Sequence, residues 1–221
     1  MRQGSALPLK QKKSLGGRIL AWVGIGLIGI SSLQMSQASV KALEMGSTQT
    51  ATKSGWRGSS FPVENFQGYT SPFGYRRSPD GSTNQEFHKG LDMAAPQGSY
   101  IRNWWTGKVV EVSDGTLCGT SVVIQSGGWE HIYCHMEGHV ETTNKQKYLM
   151  DREGGIQLLE GQVVPAGARI GRVGMTGRTT GPHLHWGLKY SGQYIDPALV
   201  LRAMYAEQAK YSAAPTQVRN Q

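Results

Sequence analysis

Gly177-Arg178-Thr179-Thr180-Gly181-Pro182-His183-Leu184-His185-Trp186 sets two histidines one residue apart directly behind a Gly/Pro turn. Alternate side chains of a strand share a face, so His183 and His185 point the same way, with backbones about 7 Å apart. That spacing suits one imidazole as a metal ligand and the other as its neighbour beside a metal-bound water. A His-x-His pair equally describes two polar strand residues facing solvent, so the decision rests on the segments upstream.

His88-Lys89-Gly90-Leu91-Asp92 carries two good zinc donors, each of a type that binds at ~2.0–2.2 Å. Regular strand would separate their backbones by ~13 Å, too far for comfortable joint ligation. The chain must bend between them, and Gly90 permits a bend. Alone, this spacing reads as a polar turn leading into a strand. Glu130-His131-Ile132-Tyr133-Cys134-His135-Met136 is the third element. Alternation places His131, Tyr133 and His135 on one face and Ile132, Cys134 and Met136 on the other. His131 and His135 are four residues apart, so only one of them can sit close to a given metal.

In this order, His88-x3-Asp92, Tyr133-x-His135 and His183-x-His185 resemble the lysostaphin/LytM-type family of zinc peptidoglycan endopeptidases. The flanks agree. Thr70-Ser71-Pro72-Phe73-Gly74-Tyr75-Arg76 looks like the family's lead into its catalytic domain, and residues 161–171 with Met175-Thr176-Gly177 look like its Gly-punctuated β segment. The resemblance covers roughly residues 68–200. It implies His88, Asp92 and His185 as zinc ligands and His135 and His183 as catalytic histidines beside the metal, with no position degenerate. Some relatives have lost ligands and act as non-enzymatic activators of other wall hydrolases, which makes the intact set informative.

The residue types support the chemistry. Three protein ligands leave the fourth zinc position open for water. Zinc lowers the pKa of that water from 15.7 to about 7 and polarises the scissile carbonyl. A histidine titrates near neutrality and can move a proton between water, oxyanion and leaving amine. The sequence does not divide these tasks between His135 and His183. No covalent enzyme intermediate is required. Of the remaining histidines, His131 lies ~13 Å along the strand from His135, which leaves a substrate contact as its lesser reading. His139 reads as an exposed loop residue.

The rest of the chain sets limits. Lys10, Lys12, Lys13 and Arg18 precede a charge-free apolar run over 19–30, with Ser36-Gln37-Ala38 and Val40-Lys41-Ala42 as small-x-small sites. This reads as a signal peptide over 1–38, with an uncleaved anchor as the alternative; the run is shorter than the ~20 residues a spanning helix needs. The protein is therefore expected to be exported to a periplasm or cell-wall space, with no stable membrane association after cleavage. The net charge of +8 includes five basic residues before position 39, and the remainder holds 18 basic against 15 acidic side chains. Nucleic-acid binding has no support beyond that inflated total. The charge is too small to argue for an anionic polymer.

Cys118 and Cys134 form an even pair in a chain expected outside the cytoplasm. Residues 121–125 and 129–135 read as a hairpin turning at Gly127-Gly128, which brings the two cysteines opposite one another and predicts a disulfide. The competing reading is Cys134 as a reactive thiol, which alternation argues against by turning it away from His135. Val- and Ile-rich runs between glycines predict a mostly β, antiparallel catalytic domain of the lysostaphin/LytM type over 67–200. A flexible polar leader is expected over 39–66. One short C-terminal helix is expected over 197–211, with a disordered tail after 212. Residues 141–153 exceed the family's usual connection and read as a polar surface loop, either shaping the substrate groove or inert. The function these features imply is an exported zinc endopeptidase acting on peptidoglycan. The rivals are a non-catalytic wall-binding or amidase-activating module, and a secreted peptidase for Gly-rich proteins.

Overall fold

A computed structural model describes residues 55–79 and 82–213. The expected signal peptide, most of the expected leader and the tail after 213 lie outside these residues. A short 3-10 turn at Gly55–Gly58 opens the described chain. Fifteen strands follow among the described residues: β1 (Gly68–Ser71), β2 (Gly74–Arg77), β3 (Gln85–His88), β4 (Leu91–Ala94), β5 (Tyr100–Arg102), β6 (Gly107–Ser113), β7 (Ser121–Ser126), β8 (Trp129–Cys134), β9 (His139–Thr143), β10 (Gln146–Asp151), β11 (Ile156–Leu159), β12 (Val163–Val164), β13 (Arg169–Arg172), β14 (His183–Tyr190) and β15 (Gln193–Ile195). Helix α1 (Pro197–Ser212) closes the domain. The mostly β, antiparallel expectation with one C-terminal helix holds.

The main sheet runs β1-β4-β14-β8-β7-β6-β12, with β15 also pairing to β14. Its centre is β14, the longest strand. The first half of β14 pairs with β4 and the second with β15, while β8 flanks its other edge. Alternation divides the two faces. Leu91 and Met93 of β4, Leu184, Trp186 and Leu188 of β14, and Tyr133 of β8 are buried in the core. Asp92, His183 and His185 fall between them and face the other way. The site therefore sits on a sheet whose opposite face is fixed by the core.

Trp104, fully buried, is the hub of that core. It meets Trp129 and Trp186 edge-on at 5.6 Å and lies 6.2 Å from Trp56. Its indole reaches Met204 of α1. Pro at the first helical position and an Asp196 side chain accepting from Ala198 N start this helix, an arrangement that satisfies an otherwise orphaned donor. The boundary expected at 200 thus falls inside α1. The leader boundary expected at 66 also shifts: Trp56 packs on Trp104 and Trp129, Ser60 N donates to Trp104 O, and Val63 bridges to Ile101. Apolar residues at 56, 61 and 63 break the polar composition of the leader and explain why its end is docked.

The insertion after His139 is also different from the expected surface loop. It forms the three-stranded sheet β11-β10-β9. Asn144 and Lys145 both take positive φ in its first turn, the geometry favoured by two-residue hairpin loops. Leu149 and Leu158 are buried, and Arg172 of β13 clasps Asp151 with two 2.7 Å bonds. His139, exposed as expected, begins β9 and is not in a loop.

Cys118 and Cys134 are disulfide-bonded, 16 positions apart. The bridge closes a loop of this size around the β7–β8 hairpin, and such loops contribute ~3 kcal/mol in the chain-entropy model. Replacing both cysteines by alanine is expected to lower stability by about that amount, read as a shift in denaturant midpoint at unchanged m-value. Identical midpoints would exclude a stabilising bridge.

His131 belongs to the core. It is fully buried 4.9 Å from the Trp104 ring, and neither ring nitrogen has a protein partner. The substrate contact considered for it is thereby excluded. Burial drives its pKa down from 6.5 to about 3. Between these values the unfolded chain binds the extra proton, so stability is lost as pH falls below about 6.5, by up to ~1.4 kcal/mol per unit. His131→Leu is expected to flatten the stability profile between pH 6 and 4 relative to the parent. Parallel profiles would show that His131 is not the group responsible.

Candidate metal centre and groove

β3 ends at His88 and β4 begins at Leu91, so the required bend lies at Lys89-Gly90. Gly90 is also needed for space: a Cβ there would lie 2.6 Å from the His185 ring and 2.8 Å from Trp186 O. Across the β4–β14 ladder, Asp92 stands directly opposite His185, and such pairs hold their Cβ atoms ~4.5–5.5 Å apart. The turn then returns His88 onto both.

Three donor atoms converge as a result. Asp92 Oδ1 lies 3.1 Å from His88 Nε2 and 2.8 Å from His185 Nδ1, and the two nitrogens are 2.9 Å apart. His88 Nδ1–H donates to Pro72 O at 2.7 Å. That bond fixes the tautomer and leaves Nε2 a lone pair aimed at the triangle. Ligands around a tetrahedral ion with bonds of ~2.0–2.1 Å would stand about 3.3 Å apart, only slightly wider than this triangle. Two imidazole nitrogens and a carboxylate oxygen at these distances fit a borderline-soft divalent ion, and this trio is the group among the described residues able to hold one. Burial opposes ionisation of Asp92, but its close neighbours His185 and His88 outweigh it and hold the carboxyl well below its usual range.

His183 and His135 complete the cluster. His183 Nδ1 faces Gly181 O at 2.8 Å, and its Nε2 lies 3.6 Å from Asp92 Oδ1. His135 Nδ1–H donates to Thr176 O at 2.8 Å, and its ring centroid is 4.9 Å from that of His183 and 6.0 Å from that of His185. Both rings thus anchor Nδ1 and leave Nε2 available to exchange a proton beside the donor triangle. Burial, offset in part by the Thr176 carbonyl, pushes the His135 pKa down to about 4, so its neutral form prevails at neutral pH. Burial likewise lowers His185, against the opposing pull of Asp92.

The placement of His135 departs from simple alternation. β8 ends at Cys134, and His135 takes φ +61°, a left-handed conformation that costs an L residue roughly 1–2 kcal/mol. It is pinned there by His135 N to Cys118 O and Gly174 N to His135 O, both 2.8 Å. Tyr133 and His131 consequently face the core, and Tyr133 OH bridges Trp104 N and Asn103 Oδ1. Cys134, opposite His185 in the ladder, lies on the site's side of the sheet and not away from it. Its sulfur is bound to Cys118, which excludes the reactive-thiol reading through the bond itself.

The cluster forms the floor of an open groove walled by Phe87, Lys89, Leu117, Arg76, Arg77 and Arg178 among others. The insertion strands are not part of this wall. Sequence reasoning assigned no role to Pro72, Thr176, Arg76 or Glu86, although all four contact or support the cluster. Their signal was adjacency: Pro72 and Arg76 lie in the quoted segment before His88, and Thr176 lies directly before the Gly177 motif.

A His-Asp-His donor set on an antiparallel sheet, with two further histidines turned toward it, defines a metal-peptidase type of centre. The model of peptidase family M23 matches residues 86–197, and the chain belongs to that family. It is 34% identical over 132 residues to the DD-carboxypeptidase/endopeptidase Mpg of Neisseria meningitidis, covering 59% of this chain and 26% of that protein. It is 32% identical over 136 residues to the peptidoglycan DD-endopeptidase ShyA of Vibrio cholerae, covering 62% and 28%. A solved zinc-containing peptidase from Vibrio cholerae superposes with a TM-score of 0.49 at 28% identity, over 62% of this chain and 37% of that one. The chain thus spans about a quarter of the length of these curated relatives.

Proposed function

We propose that this protein is an exported zinc metalloendopeptidase that hydrolyses peptide bonds in the stems or cross-bridges of bacterial peptidoglycan. The observation that carries the reading is the donor triangle of His88, Asp92 and His185 with the rings of His135 and His183, each anchored through Nδ1, beside it. A zinc ion held there would supply a nucleophile from water at neutral pH and Lewis-acid activation of a carbonyl. His135 Nε2, neutral at neutral pH, can accept a proton from the attacking water, and either His135 or His183, once protonated at Nε2, can pass it to the developing oxyanion or departing amine. The carbonyls of Thr176 and Gly181 keep both rings in that orientation throughout. The groove's arginines and Lys89 suit a substrate bearing carboxylates, as wall peptides do. The similarity to ShyA, a peptidoglycan DD-endopeptidase, supports a wall substrate, and such a substrate implies an extracytoplasmic location. No helix of the described residues is long and apolar enough to cross a membrane.

Digestion of purified peptidoglycan beside a Gly-rich elastic protein tests the substrate class. Release of new peptide termini from the wall material alone supports the proposal. Cleavage confined to the protein substrate would replace it with a secreted proteinase.

A further inference from the structure

The five candidate residues all lie outside Ser71–Arg76, yet that segment bears on them directly. Pro72 O accepts from His88, and Ser71 stands opposite Asp92 in the β1–β4 ladder. Arg76 Nη1 donates to Asp92 Oδ2 at 3.0 Å and to Ser71 Oγ at 2.6 Å. Its Nε and Nη2 donate to Glu86 Oε1 at 3.1 and 3.0 Å, from the directly opposed position in the β2–β3 hairpin. The second oxygen of Glu86 accepts from Arg178 Nη2 at 2.8 Å. A connected path thus runs from the groove rim through Arg178, Glu86 and Arg76 to Asp92.

A carboxylate has two equivalent oxygens and can offer either or both to a cation. Here only Oδ1 approaches the two imidazole nitrogens, while Oδ2 is engaged by a charge-assisted bond. We propose that Arg76 is a positioning residue of the metal centre. It occupies the outer oxygen of Asp92 so that a single oxygen joins His88 and His185, and Glu86 with Arg178 holds it there. The proposal rests on the metal-site reading above. The donors Arg76 uses lie in one rigid plane, a geometry lysine lacks. A network that served only to hold the hairpin would leave the affinity and ligand field of the ion unchanged.

Zinc affinity by chelator competition and the visible spectrum of the cobalt-loaded protein test this in the full chain, Arg76→Met, Arg76→Lys and Glu86→Gln, with thermal unfolding as the check on folding. Arg76→Met is expected to weaken zinc binding about 10- to 100-fold and to change the cobalt spectrum. Arg76→Lys should recover part of both, and Glu86→Gln should move them the same way by less. Parental affinity and spectrum in folded Arg76→Met would overturn the proposal. If that variant does not fold, the same result in Arg76→Lys and Glu86→Gln overturns it. A parent that fails to bind zinc removes the metal-site reading and this proposal with it, whereas a zinc-binding parent with indifferent variants removes this proposal alone.

Discussion

His185→Ala is expected to abolish stoichiometric zinc binding and to reduce peptide hydrolysis to background while the domain stays folded. The side chain supplies Nδ1, one of three donors within 3.1 Å of one another. Its removal leaves one imidazole and one carboxylate, below the three protein ligands of catalytic zinc sites. The loss in affinity should exceed the ~100-fold that outer hydrogen-bond partners account for. Folding should survive because Leu184 and Trp186, on the opposite face of β14, carry its buried packing. Metal analysis after gel filtration, with thermal unfolding alongside, checks both halves. Retained zinc in His185→Ala would show that the ion binds elsewhere.

His135→Ala and His183→Ala are expected to separate chemistry from metal binding. Each should lower kcat by about 10²–10⁴-fold, the range for loss of a positioned acid or base, with zinc content unchanged. The geometry gives the reason: both rings anchor Nδ1 on a backbone carbonyl and stand beside the donor triangle, outside it. The double variant should lose less than the product of the single effects, because two groups sharing one proton path act as a unit. Stopped kinetics with zinc quantified in the same samples distinguishes this from a ligand role. Loss of zinc in either single variant would reassign that histidine to the metal.

The chain reveals some of this arrangement more readily than the rest. His183 and His185 sit on one face because β14 is a regular strand, and regular strands obey the two-residue period. The bend at Gly90 follows from distance alone. Alternation failed at His135 because one residue in the left-handed region reverses the expected face, and the bonds that hold it come from Cys118 and Gly174, distant in sequence. The same failure misplaced Tyr133, His131 and Cys134. Asn144-Lys145 followed by Leu149 could have announced a hairpin, but the charged residues around it masked the period. The apolar residues of 55–66 mark a segment able to dock, but the partner of Trp56, Trp104, is distant in sequence and not set by that local pattern. Arg76 likewise acts across two ladders, so its partner Asp92 cannot be read from spacing.

The most direct test of the central claim is muropeptide analysis by mass spectrometry after incubating purified peptidoglycan with the zinc-loaded protein, with His185→Ala and a chelated sample in parallel. The account predicts new peptide termini in the first sample, absent from the other two, with the glycan chains intact. Zinc-loaded, folded protein that releases nothing from several wall types, or termini that persist in His185→Ala, would contradict it.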